Sequence, residues 1–192
     1  MAKKLFIIDT KYGVCQMKIL NNKEIYSLVT RPFEQSNVGL NIKPFDLNSL
    51  NFESYTLHAG SHIVTHHQRG NQRNTLDKKN GLLVSPNLIY TIEILERIET
   101  RNLTTSVYGT GITNCSHIGK QGDILAVRFS PLVPMFIYLG DNIGEIKFIL
   151  IDDRQKIDVN EHSKGIVEKL GNAPQTLTIP SRINVPEHVR ER

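Results

Sequence analysis

The 192-residue sequence predicts an all-β fold of many short strands, with one short helix late in the chain. Three observations lead there. Between Leu82 and Ile151 the apolar runs are short, and turn residues recur between them: Asn102, Gly119 to Gly122, Pro131, Pro134 and Gly140-Asp-Asn142. Several runs alternate apolar and polar side chains, the period of two that turns one face of a strand inward. Short alternating runs broken by frequent turn signals favour an all-β domain over one with helical crossovers.

Taken in order, Leu5 to Ile8 and Val14 to Leu20 predict two strands around Lys11-Tyr-Gly13. Asn21-Asn22-Lys23 is a turn signal, and Ile25 to Thr30 predicts a third strand. In Ser36-Asn-Val-Gly-Leu-Asn-Ile42 the apolar Val38, Leu40 and Ile42 share one face, and Pro44 ends that strand. Residues 66–81 predict an exposed loop, since Arg69, Arg73, Lys78 and Lys79 against Asp77 give a local charge of +3. An anionic-partner patch is the functional reading. A solvated loop is favoured, because no aromatic residues are interleaved for base stacking. Strands then follow at Leu82 to Val84, Leu88 to Ile98, Thr104 to Tyr108, Ile124 to Phe129, Val133 to Leu139 and Ile143 to Ile151. In the last, Ile146, Phe148 and Leu150 share a face opposite Glu145 and Lys147. Asn160 can cap a helix whose stripe is Ile166, Val167 and Leu170, with Gly171 ending it. The elements divide into an N-terminal hairpin arm over 1–35, a β core over 36–157, and a C-terminal helix and extended tail over 158–192.

Bulk properties narrow the function classes. A net charge of +4 is too small to argue for nucleic acid. Cys15 and Cys115 follow no ligand spacing, which points to a reducing compartment and a cytoplasmic protein. No apolar run approaches a membrane span, and the apolar stretch after Lys3-Lys4 stops at Asp9, too short for a signal peptide. His58, His62, His66 and His67 lack the cysteines or patterned carboxylates that would complete a tetrahedral metal set, so they are read as surface histidines and no metal is expected. Cys115-Ser-His117 places a thiol beside an imidazole, but a turn explains it better than a nucleophile–base pair. Gly109-Thr-Gly111 is not followed by a helix and is too short for a phosphate loop.

Three segments together resemble the dCTP deaminase and trimeric dUTPase superfamily. Ser36 to Ile42 is similar to its early Ser-Val-Asp-Leu-x-Leu strand. Leu83-Val-Ser-Pro86, Tyr90-Thr-Ile-Glu93 and Ile98 to Leu103 are similar to its Pro, Thr-x-Glu-x-Ile, Leu series. Ile137-Tyr-Leu-Gly-Asp-Asn-Ile-Gly-Glu-Ile-Lys-Phe148 is similar to its late Leu-x-x-Gly-x-x-Ile-Gly-x-Leu-x-Phe strand. Pro180-Ser-Arg-Ile183 echoes a short C-terminal Ser-Arg-Ile. The resemblance implies a dUTPase-like β-clip, a distorted barrel or sandwich of short strands, assembled as a homotrimer.

The same alignment marks what is missing. Where the family has Gly-Arg-Ser-Ser, whose Arg and hydroxyls grip a triphosphate, this chain has Gly109-Thr-Gly-Ile112. Where the family has a turn Ile-Asp-x-Gly-x-x-Gly, this chain has Ser116-His-Ile-Gly-Lys-Gln-Gly122, without the Asp. The deaminase's proton-shuttling Glu falls at Val127, which cannot transfer a proton. Alternation along a strand would turn Arg128 away from Val127 and put Asp123 on Val127's side. A second register likens residues 139–148 to the Gly-Tyr-x-Gly-Glu-Ile segment of dUTPases, with Asp141 as a displaced acid.

The resemblance with these losses implies a catalytically inactive homotrimer serving as a structural or interaction module. Its partners would be itself and another protein or assembly, and a capsid-associated component of a virus or phage, located in the virion, would suit it. The alternative is an active pyrimidine deoxynucleotide enzyme, a dCTP deaminase or dUTP diphosphatase with an atypical site. Asp123 would then be the catalytic residue to test, Thr110, Lys120 and Arg128 would bind nucleotide, and Mg2+ would be required only for a hydrolase. Otherwise no cofactor is expected.

Overall fold

The computed structural model describes residues 5–10, 13–35, 37–109, 113–120 and 123–150, with side chains described over 17–34, 37–109 and 126–150. Strands β1 (Leu5–Thr10) and β2 (Gly13–Ile19) form an antiparallel hairpin, as the sequence predicts. The strand expected over Ile25 to Thr30 is instead a helix, α1 (Asn22–Val29). The Asn21 side chain accepts from the Glu24 backbone N–H while the Glu24 carboxylate accepts from the Asn21 N–H. That reciprocal capping box sets the first turn and outweighs the strand preference of Ile25, Tyr26 and Val29. Ile25 and Leu28, three residues apart, then bury one face against the core.

The core strands are β3 (Gly39–Lys43), β4 (Tyr55–His67), β5 (Gly70–Thr75), β6 (Leu82–Val84), β7 (Ile89–Arg101) and β8 (Leu103–Tyr108). They continue as β9 (Thr113–Lys120), β10 (Asp123–Pro131), β11 (Met135–Ile137) and β12 (Asn142–Leu150). Ten strands form one sheet whose path runs β1-β2-β12-β4-β7-β10-β9, with β3 on β7, β5 on β4 and β8 on β12; β6 and β11 pair separately. The described path stays open from β1 to β9 and does not close into a barrel. Apart from α1 and two short 3-10 turns, the described residues build an all-β fold, as the sequence predicts.

Two segments differ from expectation. The exposed loop predicted over 66–81 contains a hairpin, since β4 and β5 pair from His62↔Thr75 to His67↔Gly70. Every β5 side chain is polar or absent, so its pairing is carried by the backbone and leaves no apolar signature in the sequence. Cys115, Ser116 and His117 lie on β9 rather than in a turn, paired with Phe129, Arg128 and Val127. The predicted helix at 160–171 and the tail lie outside the described residues.

The core is drawn from one face of each long strand. Tyr90, Ile92, Ile94 and Ile98 of β7 meet Val127 and Phe129 of β10, Leu57 and Ile63 of β4, and Ile146 and Phe148 of β12. The rings of Tyr90 and Phe129 stack with centroids 5.2 Å apart. Burying each of these large side chains contributes about 1.5–3 kcal/mol, so β7, with neighbours on both edges, is the structural axis of the domain.

Candidate functional site

Of the residues singled out from the sequence, the backbone register locates Lys120, Asp123 and Arg128 on the β9–β10 hairpin. Lys120 and Asp123 are register partners at the closed end of the β9–β10 hairpin, and Asp123 also faces Glu99 of β7. Arg128 pairs with Thr91 and Ser116, five residues further along β10 and so roughly 16 Å away. Val127 is 0% exposed and Arg128 is exposed, the opposed orientation that alternation predicts. Asp123 and Val127 are not related so simply. The register shifts between Ile124 and Ala126 against both neighbouring strands. A bulge breaks the two-residue period, so counting residues no longer fixes which side Asp123 takes. Thr110 lies outside the described residues. Asp141 is occupied structurally: its carboxylate accepts from the Tyr138 N–H at 2.9 Å, and its carbonyl accepts from the Ala59 N–H at 2.8 Å.

A constellation that sequence reading missed sits where β4 and β7 cross this irregular stretch. The β4–β7 register shifts between Ala59 and Ile63, and the β7–β10 register shifts at the facing residues. Gly60 lies so close to β7 that a Cβ there would meet the Glu93 carbonyl oxygen at 2.8 Å. Around this point Glu96 occupies an inward position of β7, in step with Tyr90, Ile92, Ile94 and Ile98, and is 3% exposed. A carboxylate at such depth needs a partner. It accepts from the His58 backbone N–H at 3.1 Å, and its other oxygen lies 2.5 Å from His58 Nδ1. His58 is therefore not the surface histidine that its sequence context implies. The hydrogen bond to Glu96 holds its pKa above 6.5 against the opposing effect of burial, and the charges of Glu96 and Asp46 add to the rise. Tyr55 completes the buried polar set. Burial pushes its phenol up to about 12, and its oxygen accepts from the Asp46 N–H at 3.0 Å.

The second His–Glu pair is different in kind. His62 Nδ1 lies 2.8 Å from Glu93 and 2.9 Å from the Ser61 hydroxyl. Both partners meet the same nitrogen, so the ring cannot relay a proton from the hydroxyl to the carboxylate, and Ser61, His62 and Glu93 are not a nucleophilic triad. Among the described residues, no group of three or more His, Cys, Asp or Glu side chains is arranged to hold a metal ion. None of the described helices is long and apolar enough to cross a membrane.

The Glu96 signal was present in the sequence. Tyr90-Thr-Ile-Glu-Ile-Leu-Glu-Arg-Ile98 places a carboxylate at the alternation point between Ile94 and Ile98. A charged residue on the inward face of an otherwise apolar strand calls for a buried partner.

No protein-family model matches the chain, and no curated protein matches it. Among solved structures, the chain is similar to the crystal structure of 2'-deoxycytidine 5'-triphosphate deaminase from Agrobacterium tumefaciens, with a TM-score of 0.54 and 16% sequence identity. The match covers 70% of this chain and 48% of that one, so this chain spans about half the length of the deaminase it matches. Likeness at this identity establishes the deaminase-like fold. The class of protein defined is an all-β domain with the dCTP deaminase-like arrangement and a buried histidine–glutamate pair beside its central strand.

Proposed function

We infer that this chain is a catalytically inactive relative of the pyrimidine deoxynucleotide enzymes, working as a homotrimeric structural or interaction module of the sort a viral or phage particle would incorporate. The observation that carries the reading is Val127. The resemblance aligns it with the deaminase's proton-shuttling Glu, and it is wholly buried between β7 and β9 with no polar atom to offer. The wide separation of Arg128 from Lys120 and Asp123 supports it, because a triphosphate grip needs its cations and hydroxyls convergent. A trimer would cover surface that an open sheet leaves exposed.

One observation favours a second reading, an enzyme with an atypical site. The His58–Glu96 pair can hold a proton, and its ring Nε2 has no partner among the described residues. One experiment separates the two: purified protein is incubated with dCTP or dUTP plus Mg2+, and product is followed as uracil nucleotide or pyrophosphate. No turnover is expected, together with a solution mass three times the 21.8 kDa chain. Turnover abolished by Asp123→Ala or by Glu96→Gln would establish the enzyme instead, and a monomeric mass would remove the trimer.

A further inference from the structure

We propose that the open face of the β5-β4-β7-β10 sheet is a docking surface for an extended acidic segment of a protein partner, gripped by Arg73 and Arg128. The registers define one transverse row across four strands. Arg73 pairs with Val64, Val64 with Thr91, and Thr91 with Arg128. Directly paired residues of antiparallel strands share a face. That face is the outward one, since Ile63, Thr65, Tyr90, Ile92, Val127 and Phe129 on either side of the row are buried. Arg73 and Arg128 are both exposed. They stand at the two ends of the row, roughly 14 Å apart at three strand spacings, with the half-buried Val64 and Thr91 between them.

The neighbouring row continues the surface. Asn71 pairs with His66 and His66 with Ile89. His66 is fixed on this face by Asn71 Oδ1 at 3.1 Å and Thr91 Oγ1 at 2.7 Å. Beyond it lies an open concavity of about 890 Å3 that contains Arg69, side-chain amides, Leu88 and Ile89 and is lined by no carboxylate. Ile89 is 46% exposed. Among the described residues the acidic group beside the rows is Glu93, 2.8 Å from His62 and 3.6 Å from Arg73, so Arg73 and Arg128 less Glu93 leave a charge of +1. The charge balance of the surface is therefore cationic, with apolar ground between the cations.

Spacing and chemistry select the occupant. In an extended peptide, residues four apart lie roughly 13 Å from each other and point the same way. Two acidic side chains at that spacing reach Arg73 and Arg128, and the residue midway sits over Val64 and Thr91. Nucleic acid is disfavoured because no aromatic ring stands among these positions to receive bases. The surface gives the interaction-module reading a partner class, but its test does not depend on whether the chain turns over nucleotide.

The probe is a labelled synthetic peptide with a Glu-Thr-Val-Thr-Glu core, measured by fluorescence anisotropy at low ionic strength. Binding is expected, weakening as salt is raised. Arg73→Ala or Arg128→Ala should each weaken it about threefold and the double variant about tenfold, within the range of exposed ion pairs. The Arg73→Lys/Arg128→Lys protein should retain most of it, which separates loss of charge from loss of fold. Equal binding of a peptide with lysines in place of the glutamates would overturn the proposal. So would a double alanine variant that binds like the parent, or tighter binding of a thymidine oligonucleotide than of the acidic peptide.

Discussion

His58→Ala should destabilise the protein by about 3 kcal/mol. Removing one member of a buried, hydrogen-bonded ion pair costs about 3–5 kcal/mol, because the remaining charge is left without its partner. Here the remaining group is Glu96, 3% exposed, which among the described residues would keep the His58 backbone N–H at 3.1 Å. The His58 side chain is 22% exposed, so water reaches the space it leaves and the cost falls at the lower end of that range. With a urea m-value of about 2 kcal/mol/M, the midpoint should drop by about 1.5 M. The pair also dictates a pH dependence. Glu96 raises the pKa of His58 above its ordinary 6.5, so the folded state binds the proton more tightly than the unfolded state does. The stability from this pair is then fully present below pH 6.5 and is lost as pH rises through the elevated value. Glu96→Gln keeps the volume and should flatten that dependence. Replacing both residues together, as His58→Val with Glu96→Ile, should cost far less than His58→Ala, since no charge is left stranded. Denaturant titrations at several pH values test the set. A His58→Ala protein within about 0.5 kcal/mol of the parent, or a Glu96→Gln protein with an unchanged pH profile, would refute the assignment of Glu96 as a buried anion held by His58.

Two further outcomes follow from the same region. Gly60→Ala should destabilise by about 1–3 kcal/mol in urea melts, because the new Cβ would press on the Glu93 carbonyl of β7 and that backbone is pinned on both edges. Tyr55→Phe should cost about 1–2 kcal/mol by leaving the Asp46 N–H without its acceptor. In the parent, one tyrosine should resist ionisation until about pH 12 by tyrosinate absorbance. Its unfolded counterpart ionises near 10, so alkaline stability should fall through that window in the parent and less steeply in Tyr55→Phe.

Much of the fold was legible in the chain because burial writes itself into alternation. The inward set Ile146, Phe148 and Leu150 was readable from β12 alone and is buried as expected. The helix α1 is not legible from residue preference because Ile25, Tyr26 and Val29 favour strands, while the deciding signal, Asn21 three residues before Glu24, is a hydrogen-bonding pattern rather than a hydropathy one. Strand β9 was partly hidden by Gly119 and a run of polar residues that resemble a turn. Of the site residues, the opposed orientation of Val127 and Arg128 followed from the period of two. The relation of Asp123 to Val127 did not, because a bulge at one point shifts every later residue against its neighbours.

The sequence by itself determined the class of fold and the inward face of most strands, because each is a local property of residue type and spacing. Only the tertiary structure decided which strands lie side by side. That adjacency set Glu96 against His58 and aligned Arg73 with Arg128 across four strands. Contacts between distant segments depend on register and on where each strand bulges, and neither is written in any single stretch of chain.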